Sequence, residues 1–445
     1  MKISDKHYII TEHGGFLSGG PEKAGFHILH PKQFESLESF ILENRNDSRT
    51  DPVELLSLSA RRGGTKAITA KNYVGVIAMK DGTVIEILPK IFGKENGEER
   101  ERVTKTKNIL LDMLRTLNEI PYKEFDPSSV KTERINLLEI FILMFVNEAH
   151  SIVKLGLKSD YNTIEENERF FKGKLVVAQN IKYNHSNKAR FHIRYDEFNV
   201  NRPENRLIKV TLKFLYKKST YERNKQSISR LLSHFESVED STDNDADFNK
   251  CVNNRSMSRY ERALKWCKVF LRGKSFTAYA GNDVAIALLF PMEVIFESYV
   301  ASILRRKFKN TNYVLRTQDR RFCLFENPKK FSIRPDIVLS DGCAYTIVDT
   351  KWKLLSERSE QNYGISQSDM YQVYAYGKKY ALKKSHDSPN YVKGVILIYP
   401  FSANLADVKN IQYDSGDGVT VHVLFIDLAS PTNPDEMFNE LCKFL

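Results

Sequence analysis

Cysteine and recognisable metal-binding motifs are sparse in this sequence. There are five cysteines, an odd number, and none forms a CxxC pair. This argues against a disulfide framework, a zinc ribbon and a four-cysteine iron–sulfur cluster, and it favours a reducing compartment. The ten histidines are scattered, without an HxH or HExxH pattern. We therefore assign no histidine to a metal.

Long apolar segments are also missing. The first residues, MKISDKHYIITEHGG, contain no apolar core of the kind that signal peptides need. No uninterrupted apolar run approaches the length that crosses a bilayer. We therefore expect a cytoplasmic protein with no membrane partner.

A nucleotide-binding loop is absent as well. The one GK[ST] sequence is Gly273-Lys274-Ser275, and a Walker A loop would need a glycine at position 268, where Lys268 stands. The chain itself is therefore expected to bind no nucleotide.

The sequence does contain enough apolar residues for well-packed cores, and an excess of basic charge. Its 445 residues suit two or three domains, with 41% hydrophobic and 28% charged residues. Lysine and arginine total 67 against 56 acidic residues, a formal net charge of +11. This excess suggests a polyanionic partner.

Hydrophobic patterns predict three domains in an α/β (α+β multidomain) protein. Residues 1–92 are β-rich, with a clear hairpin at 73–91, and the charged segment 93–107 is interpreted as solvated surface or an exposed helix start. Residues 93–284 are mainly helical, with a strand-like stretch near 171–200 and a polar, acidic segment at 236–250 that predicts a mobile loop.

Residues 285–445 predict a small α/β domain with a mixed sheet. The apolar pattern over 288–308 predicts an amphipathic helix with Pro291 in its first turn. A strand hairpin follows at 334–353. The stretch 369–382 predicts a helix capped by Ser368 or Asp369, and further strands are predicted at 394–400 and 419–428.

The hairpin RPDIVLSDGCAYTIVDTKWK (334–353) carries charges where strands are expected. Asp349 and Lys351 are two residues apart and so share one face of a strand. Closing the turn Ser340-Asp341-Gly342 brings Asp336 of the partner strand close to Asp349. Two converging carboxylates repel one another unless a cation lies between them.

A divalent cation would resolve that repulsion, and oxygen ligands suit Mg²⁺, with Mn²⁺ as an alternative. The carbonyl of Thr350 is a candidate third ligand beside Asp336 and Asp349. Lys351 is placed to hold an attacking water or to stabilise charge on a phosphate. This combination predicts metal-dependent hydrolysis of a phosphodiester.

Pro335-Asp336 followed by Asp349-Thr350-Lys351 resembles the PD-(D/E)xK nuclease signature. This resemblance implies a further metal-binding glutamate on the preceding core helix, where Glu297 matches and Glu293 is the fallback. It also implies a RecB-like QxxxY motif on the next helix, matched by Gln372 and Tyr376, which shape the site and contact DNA. The fold implied is a restriction-endonuclease-like mixed sheet flanked by helices.

Most of the chain resembles the McrC family, the nuclease subunits of McrBC-type restriction systems, with a related LlaJI-like subgroup that reads unmethylated sites. The matching segments are VIEILPKI (84–91), FKGKL (171–175), RYDEFNVNRPENRLIK (194–209), IFESYV (295–300) and the hairpin block. The resemblance implies that residues 1–92 dock on a McrB-like AAA+ GTPase hexamer. The subunit would stimulate GTP hydrolysis and cut double-stranded DNA, in a higher-order assembly that brings two nuclease subunits together.

Other interpretations stay open. The acids could be surface charges, Lys351 a simple ion-pair partner, Glu297 an exposed helix residue and Tyr376 a core aromatic. The same core would serve a stand-alone RecB-like repair nuclease, or a non-catalytic adaptor that stimulates a motor. His185 and His192 lie in a basic, aromatic stretch that suits either phosphate contact or an ordinary solvated strand.

Overall fold

The structure is a computed structural model. It describes residues 1–21, 24–43, 55–60, 64–91, 99–117, 135–251, 257–271, 284–356, 358–381, 384–385, 388–389, 391–401, 405, 411–430 and 433–445. The GKS sequence at 273–275 lies outside them. Within these ranges each helix falls short, in length or in apolar character, of a bilayer span.

The chain divides into two compact units. One combines Met1–Arg134 with Ser275–Leu445, and the other is Ile135–Lys274. The three-domain division expected from the sequence stays a prediction.

The first part of the chain is β-rich, as predicted. Its elements are β1 (Lys2–Ser4), β2 (His7–Thr11), β3 (Gly15–Leu17), β4 (Phe26–Ile28), α1 (Pro31–Glu43), β5 (Leu56–Ala60), β6 (Lys66–Ala70), β7 (Tyr73–Met79), β8 (Val84–Leu88) and α2 (Glu99–Leu114). Strands β7 and β8 pair antiparallel, which confirms the hairpin at 73–91. Helix α2 begins inside the charged segment 93–107, and it buries Thr106 and Lys107. The helix-start interpretation of that segment is therefore correct from Glu99 onward.

The second unit is mainly helical, with one small sheet. Its elements are α3 (Leu137–Lys154), β9 (Asp160–Glu168), β10 (Lys174–Leu175), α4 (Val177–Asn184), β11 (Phe191–Asn199), α5 (Pro203–Lys218), α6 (Glu222–Ser233), α7 (Asn244–Lys250) and α8 (Ser258–Leu271). The sheet order is β10-β11-β9. The strand-like prediction for 171–200 was wrong over α4, where a short apolar pattern suits either a helix or a strand.

The mobile loop predicted at 236–250 was wrong in its second half, which forms α7. Asp243 caps this helix by accepting hydrogen bonds from the backbone nitrogens of Asp245 and Ala246. The helix is anchored by an ion pair of 2.6 Å between Arg206 and Asp247. Its acidic residues therefore serve as a cap and an ion-pair partner, roles that composition alone does not distinguish from solvated charge.

Part of the McrC-like segment 194–209 forms a buried polar network inside the second unit. Arg202 pairs with Asp160 at 2.5 Å and with Glu204 at 3.1 Å. The side-chain amide of Asn205 donates to the carbonyls of Lys158 and Val200. These charges anchor the start of α5, because a buried polar group is stabilised only when its partners are present.

The last part of the chain contains β12 (Val284–Pro291), α9 (Met292–Phe308), β13 (Val314–Thr317), β14 (Cys323–Glu326), β15 (Lys329–Ser332), β16 (Ile337–Ser340), β17 (Ala344–Thr350), α10 (Gln367–Ala381), β18 (Lys384–Ser385), β19 (Ser388–Pro389), β20 (Tyr391–Pro400), β21 (Ile411–Asp414), β22 (Thr420–Ile426) and α11 (Asn433–Cys442). A six-stranded sheet has the order β13-β16-β17-β20-β22-β21. Its β16–β17 pair is antiparallel, whereas β17–β20 and β20–β22 are parallel. The predicted mixed sheet and α+β fold class are confirmed.

Residues 288–291 were predicted as the start of a helix and instead complete strand β12. This strand pairs antiparallel with β7, so it closes a five-stranded sheet of order β1-β2-β8-β7-β12. A glycine is required at the contact, because a Cβ on Gly75 (φ +137°) would lie 2.0 Å from the carbonyl oxygen of Leu288. The run was misread because a fully buried apolar stretch has the same composition in a strand and a helix.

The five-stranded sheet shares one core with the four-stranded sheet β4-β3-β6-β5 and with α1. Side chains such as Ile77, Phe16 and Phe40 meet in this core. The other face of the five-stranded sheet is covered too, since Val76, Ala78, Val84 and Leu88 are also buried. The sheet is therefore buried on both faces, and the residues that follow its strands carry polar groups that face solvent or a cleft.

Candidate active site

The hairpin formed by β16 and β17 has the register expected from its turn. Ile337 lies opposite Val348, and Ser340 lies opposite Tyr345. The turn is fixed by Asp341, whose Oδ1 accepts hydrogen bonds from the backbone nitrogens of Cys343 and Ala344. The hairpin prediction is therefore confirmed. Asp336, just before β16, and Asp349, near the end of β17, come to the same end of the sheet.

Asp336 is held on three sides. Its Oδ2 accepts hydrogen bonds of 2.8 Å from both the backbone nitrogen and the hydroxyl of Thr350. Its Oδ1 accepts one of 3.2 Å from the side-chain amide of Gln318, and its backbone carbonyl accepts from the Gln318 nitrogen at 2.8 Å. These contacts fix the carboxylate beside the end of β17.

Asp349 is 1% exposed. Its Oδ2 lies 2.7 Å from the Lys351 ammonium group, but no hydrogen bond of acceptable geometry reaches this buried oxygen. Lys351 Nζ also donates to Gln372 Oε1 at 2.8 Å and lies 3.8 Å from Asp369. The ammonium group therefore sits between two carboxylates and an amide oxygen, on the same face as Asp349.

Helix α10 supplies the Gln372 and Tyr376 pair. The Gln372 amide donates to the Tyr376 hydroxyl at 2.7 Å, and that hydroxyl donates to the Arg334 carbonyl at 3.1 Å. Tyr376 is 4% exposed and belongs to the core, so it orients Gln372 from behind the site. The predicted cap was wrong, because the first turn of α10 is bonded by Ser366, whose hydroxyl accepts from the Asp369 nitrogen.

Glu297 of α9 reaches the site through a residue that the sequence did not reveal. The Gln318 amide donates to Glu297 and also to Asp336, so it joins the two carboxylates. Glu293, the fallback, instead accepts a hydrogen bond of 3.3 Å from Asn72. Gln318 follows β13, which pairs with β16. Only that pairing across strands brings it to Asp336, and no local motif marks it.

The pKa values of three carboxyl groups in the site are raised. Burial, and then repulsion from Asp336, raise the pKa of Asp349 from 3.8 to about 7. Burial, and then the same repulsion, raise the pKa of Glu297 from 4.5 to about 7. Burial also raises the pKa of Asp336, although Thr350 donates to it. The site therefore concentrates more negative charge than Lys351 balances, which is the condition that a bound cation relieves.

The donor set fits a magnesium-sized ion with few protein ligands. Among the described residues there is no group of three or more acidic, histidine or cysteine side chains arranged to hold a metal. Asp336 and Asp349 provide hard carboxylate oxygen atoms, and the backbone carbonyl of Thr350 stays a candidate third ligand. Mg²⁺ commonly binds through one or two carboxylates and keeps water or phosphate oxygens at its other positions. Glu297 would bind the ion only after its hydrogen bond with Gln318 is broken.

One cleft of about 800 Å³ gathers these groups. Of the predicted site residues, Tyr376 alone is not part of its lining. Residues next to the N-terminal sheet line it as well, and no sequence motif predicted that they would. The wall includes Glu12, His13, Asn72, Lys90, Glu293, Glu297, Asp336, Asp349, Thr350, Lys351, Trp352, Lys353, Asp369 and Gln372.

Comparison with known proteins identifies the class. The family model described as "McrBC 5-methylcytosine restriction system component" matches residues 68–400. The chain belongs to this family, and its resemblance to the McrC family is confirmed. A search of curated proteins found no match.

One solved structure shows the same fold over the whole chain. The chain is similar to one in the refined half-complex from a tetradecameric assembly of Thermococcus gammatolerans McrB AAA+ hexamers with bound McrC. The TM-score is 0.69 and the identity 18%, with 99% of this chain and 100% of that chain covered. A chain of the cryo-EM structure of the Thermococcus gammatolerans McrBC complex matches with a TM-score of 0.49 and 18% identity, over 68% of this chain and 88% of that one.

Proposed function

We propose that this restriction-system component is the DNA-cleaving subunit, a Mg²⁺-dependent endonuclease that acts in the cytoplasm with a McrB-like AAA+ GTPase hexamer. The observation that carries the proposal is the buried pair Asp336 and Asp349 beside Lys351, at the wall of one cleft. A pair of acids with raised pKa values next to an ammonium group has little purpose in stability, since burial of such charge is costly. It suits chemistry on a phosphate.

Each residue of the candidate site has a definite role in that chemistry. Asp336 and Asp349, with the Thr350 carbonyl, would hold the ion, which when bound activates water and balances charge on the scissile phosphate. Lys351, held by Asp349 and Gln372, donates to the attacking water or to a phosphate oxygen. Gln372 keeps the ammonium group aimed because Tyr376 fixes its amide. Gln318 keeps Glu297 and Asp336 from separating.

The proposal is tested by plasmid cleavage. The full chain, a McrB-like partner, GTP and Mg²⁺ together are expected to cut DNA. EDTA should stop the reaction, and Mg²⁺ or Mn²⁺ in excess should restore it. Cleavage by the chain alone without nucleotide would favour a stand-alone nuclease. Cleavage that survives chelation would contradict the metal-dependent site.

A protein partner is supported by an exposed aromatic face on the small sheet of the second unit. Tyr161 is 70% exposed and Phe198 63%. They lie opposite each other on β9 and β11, and their rings are 5.1 Å apart. Contiguous exposed aromatics mark interaction surfaces on soluble proteins. The family resemblance implied docking through residues 1–92, and we propose this aromatic face, of Tyr161 and Phe198, as the docking surface instead.

Replacing Tyr161 and Phe198 together with serine is expected to abolish stimulation of the partner GTPase, because anchoring aromatics at an interface contribute about 2 kcal/mol or more each. The measurement is GTP hydrolysis against the concentration of this chain. Phe325 and Phe331, which are 60% and 67% exposed, provide the matched control double variant in another part of the chain. Equal loss in both double variants would show that exposed aromatics in general, rather than this face, matter.

A further inference from the structure

The VIEILPKI segment ends at the nuclease cleft, and this end carries an inference about how DNA is held. Strands β2 and β8 are parallel neighbours, with Thr11 opposite Leu88. The residues that follow the two strands therefore emerge at one edge of the sheet. These residues include Glu12, His13 and Lys90, and all three line the cleft that contains Asp336 and Asp349.

Glu12 connects this edge of the sheet to Trp352, just beyond the end of β17. Its carboxylate is 2% exposed and accepts hydrogen bonds of 3.0 Å from the backbone nitrogen of Lys90 and from the indole nitrogen of Trp352. Trp352 directly follows Lys351. Because the Glu12 carboxylate binds both residues, the backbone of Lys90 is held at a fixed position relative to Trp352 and its neighbour Lys351.

The two charged residues of VIEILPKI have different environments. Glu86 is buried and pairs with Lys107 at 2.8 Å and His7 at 2.5 Å, which is a structural role. Lys90 is exposed. Among the residues that the structure describes, no ion pair joins its ammonium group to a carboxylate. Pro89 limits the backbone just before it.

His13 stands beside Lys90 in a backbone conformation that side chains seldom adopt. Its φ is +62°, and its backbone nitrogen donates to the Ala70 carbonyl at 3.0 Å. Burial, and then the charge of Lys90, lower the pKa of its imidazole, which leaves a neutral ring that offers one N–H donor. Such backbone outliers are strained and cluster at functional sites.

We propose that Lys90 and His13 form a phosphate-binding site of the DNA substrate, for a phosphate next to the scissile one. This rests on the proposed nuclease function. Apart from Lys90, the cleft lining offers a polyanion the ammonium groups of Lys351 and Lys353 against six carboxyl groups, those of Glu12, Glu293, Glu297, Asp336, Asp349 and Asp369. One ammonium group and one imidazole donor on the N-terminal wall supply the positive charge and hydrogen bond that a backbone phosphate needs.

The test compares Lys90→Gln with Lys80→Gln, since Lys80 is exposed on the same hairpin at the opposite end of β8. Binding of the full chain to a short fluorescent duplex is measured by anisotropy in Ca²⁺ at several NaCl concentrations. Lys90→Gln is expected to weaken binding about tenfold and to lower the slope of log affinity against log salt by about 0.9, the share of one phosphate contact. Lys90→Arg should restore both, and Lys80→Gln should change neither.

His13→Gly guards against a purely structural explanation. Glycine adopts the φ of this position freely, so the variant should melt at or above the wild-type temperature while still binding DNA more weakly. Equal salt slopes for Lys90→Gln and Lys80→Gln, or wild-type binding by His13→Gly, would overturn the proposal. Failure of the nuclease function is read separately, from cleavage by Asp349→Asn at the wild-type rate.

Discussion

Asp349→Asn is expected to abolish DNA cleavage, by about 10³-fold or more, and at the same time to stabilise the metal-free protein at pH 8. Asparagine keeps the shape of the side chain but loses the charge that binds an ion and orients Lys351. The stability gain follows from the pKa of Asp349, which burial and Asp336 raise from 3.8 to about 7.

The direction of the pH effect is fixed by that shift. A carboxyl group with a raised pKa contributes stability that is fully present below about pH 3.8 and is lost as the pH rises through about 7. Asparagine does not undergo this loss. At pH 8 the free energy of unfolding of the variant should therefore exceed that of the wild type by on the order of 1 kcal/mol, and the variant should melt at a higher temperature. The difference should shrink at pH 5.

Asp341→Asn is the matched control in the same hairpin. Lys393 and the backbone nitrogens of Ala344 and Cys343 lower the pKa of Asp341 to about 2, so this charge stabilises the fold at neutral pH. Its removal should destabilise the protein slightly at pH 8 and leave cleavage unchanged. Thermal melts at two pH values and a plasmid assay measure both variants. Wild-type cleavage by Asp349→Asn would remove the carboxylate from the mechanism.

Lys351→Met is expected to lower the cleavage rate by about 10²- to 10³-fold, since loss of one positioned donor at a transition state has effects of this size. Methionine fills a similar volume without a charge. The carboxylates stay in place, so metal binding should persist, and the proposed docking surface of Tyr161 and Phe198 is unchanged. Stimulation of the partner GTPase should therefore stay at the wild-type level.

Cleavage and GTPase stimulation, measured together, distinguish a nuclease subunit from a non-catalytic adaptor. Lys378→Met is the control, because Lys378 lies on α10 and pairs with Asp417 at 2.8 Å, outside the cleft lining. If Lys351→Met restricts foreign DNA as well as the wild type does, the chain is an adaptor that stimulates a motor. If GTPase stimulation falls together with cleavage, Lys351 has a structural role and its assignment is wrong.

The hairpin part of the site was accessible from the sequence because its geometry is local. A short turn and the two-residue alternation of strands are enough to place Asp336 near Asp349 and to put Lys351 on the same face. The i, i+4 spacing of a helix likewise joins Gln372 to Tyr376. These relations need no knowledge of the rest of the fold.

The remaining parts depend on contacts between distant segments. Gln318 reaches Asp336 only because β13 pairs with β16, and Lys90 reaches the cleft only because Glu12 binds Trp352. Neither pairing leaves a local pattern. The strand at 288–291 was misassigned for a related reason, since its pairing with β7 decides between helix and strand, and an apolar run does not.

The pairing of β12 with β7 also sets an order of assembly during synthesis. The last strand of the N-terminal sheet is encoded after the whole of Ile135–Lys274. That intervening unit is continuous in sequence and rich in short-range helical contacts, so it is able to fold as soon as it leaves the ribosome. The earlier strands must wait, with the β7 edge open, until Val284–Pro291 emerges. Nascent chains that stall in this interval are the ones that holding chaperones should capture.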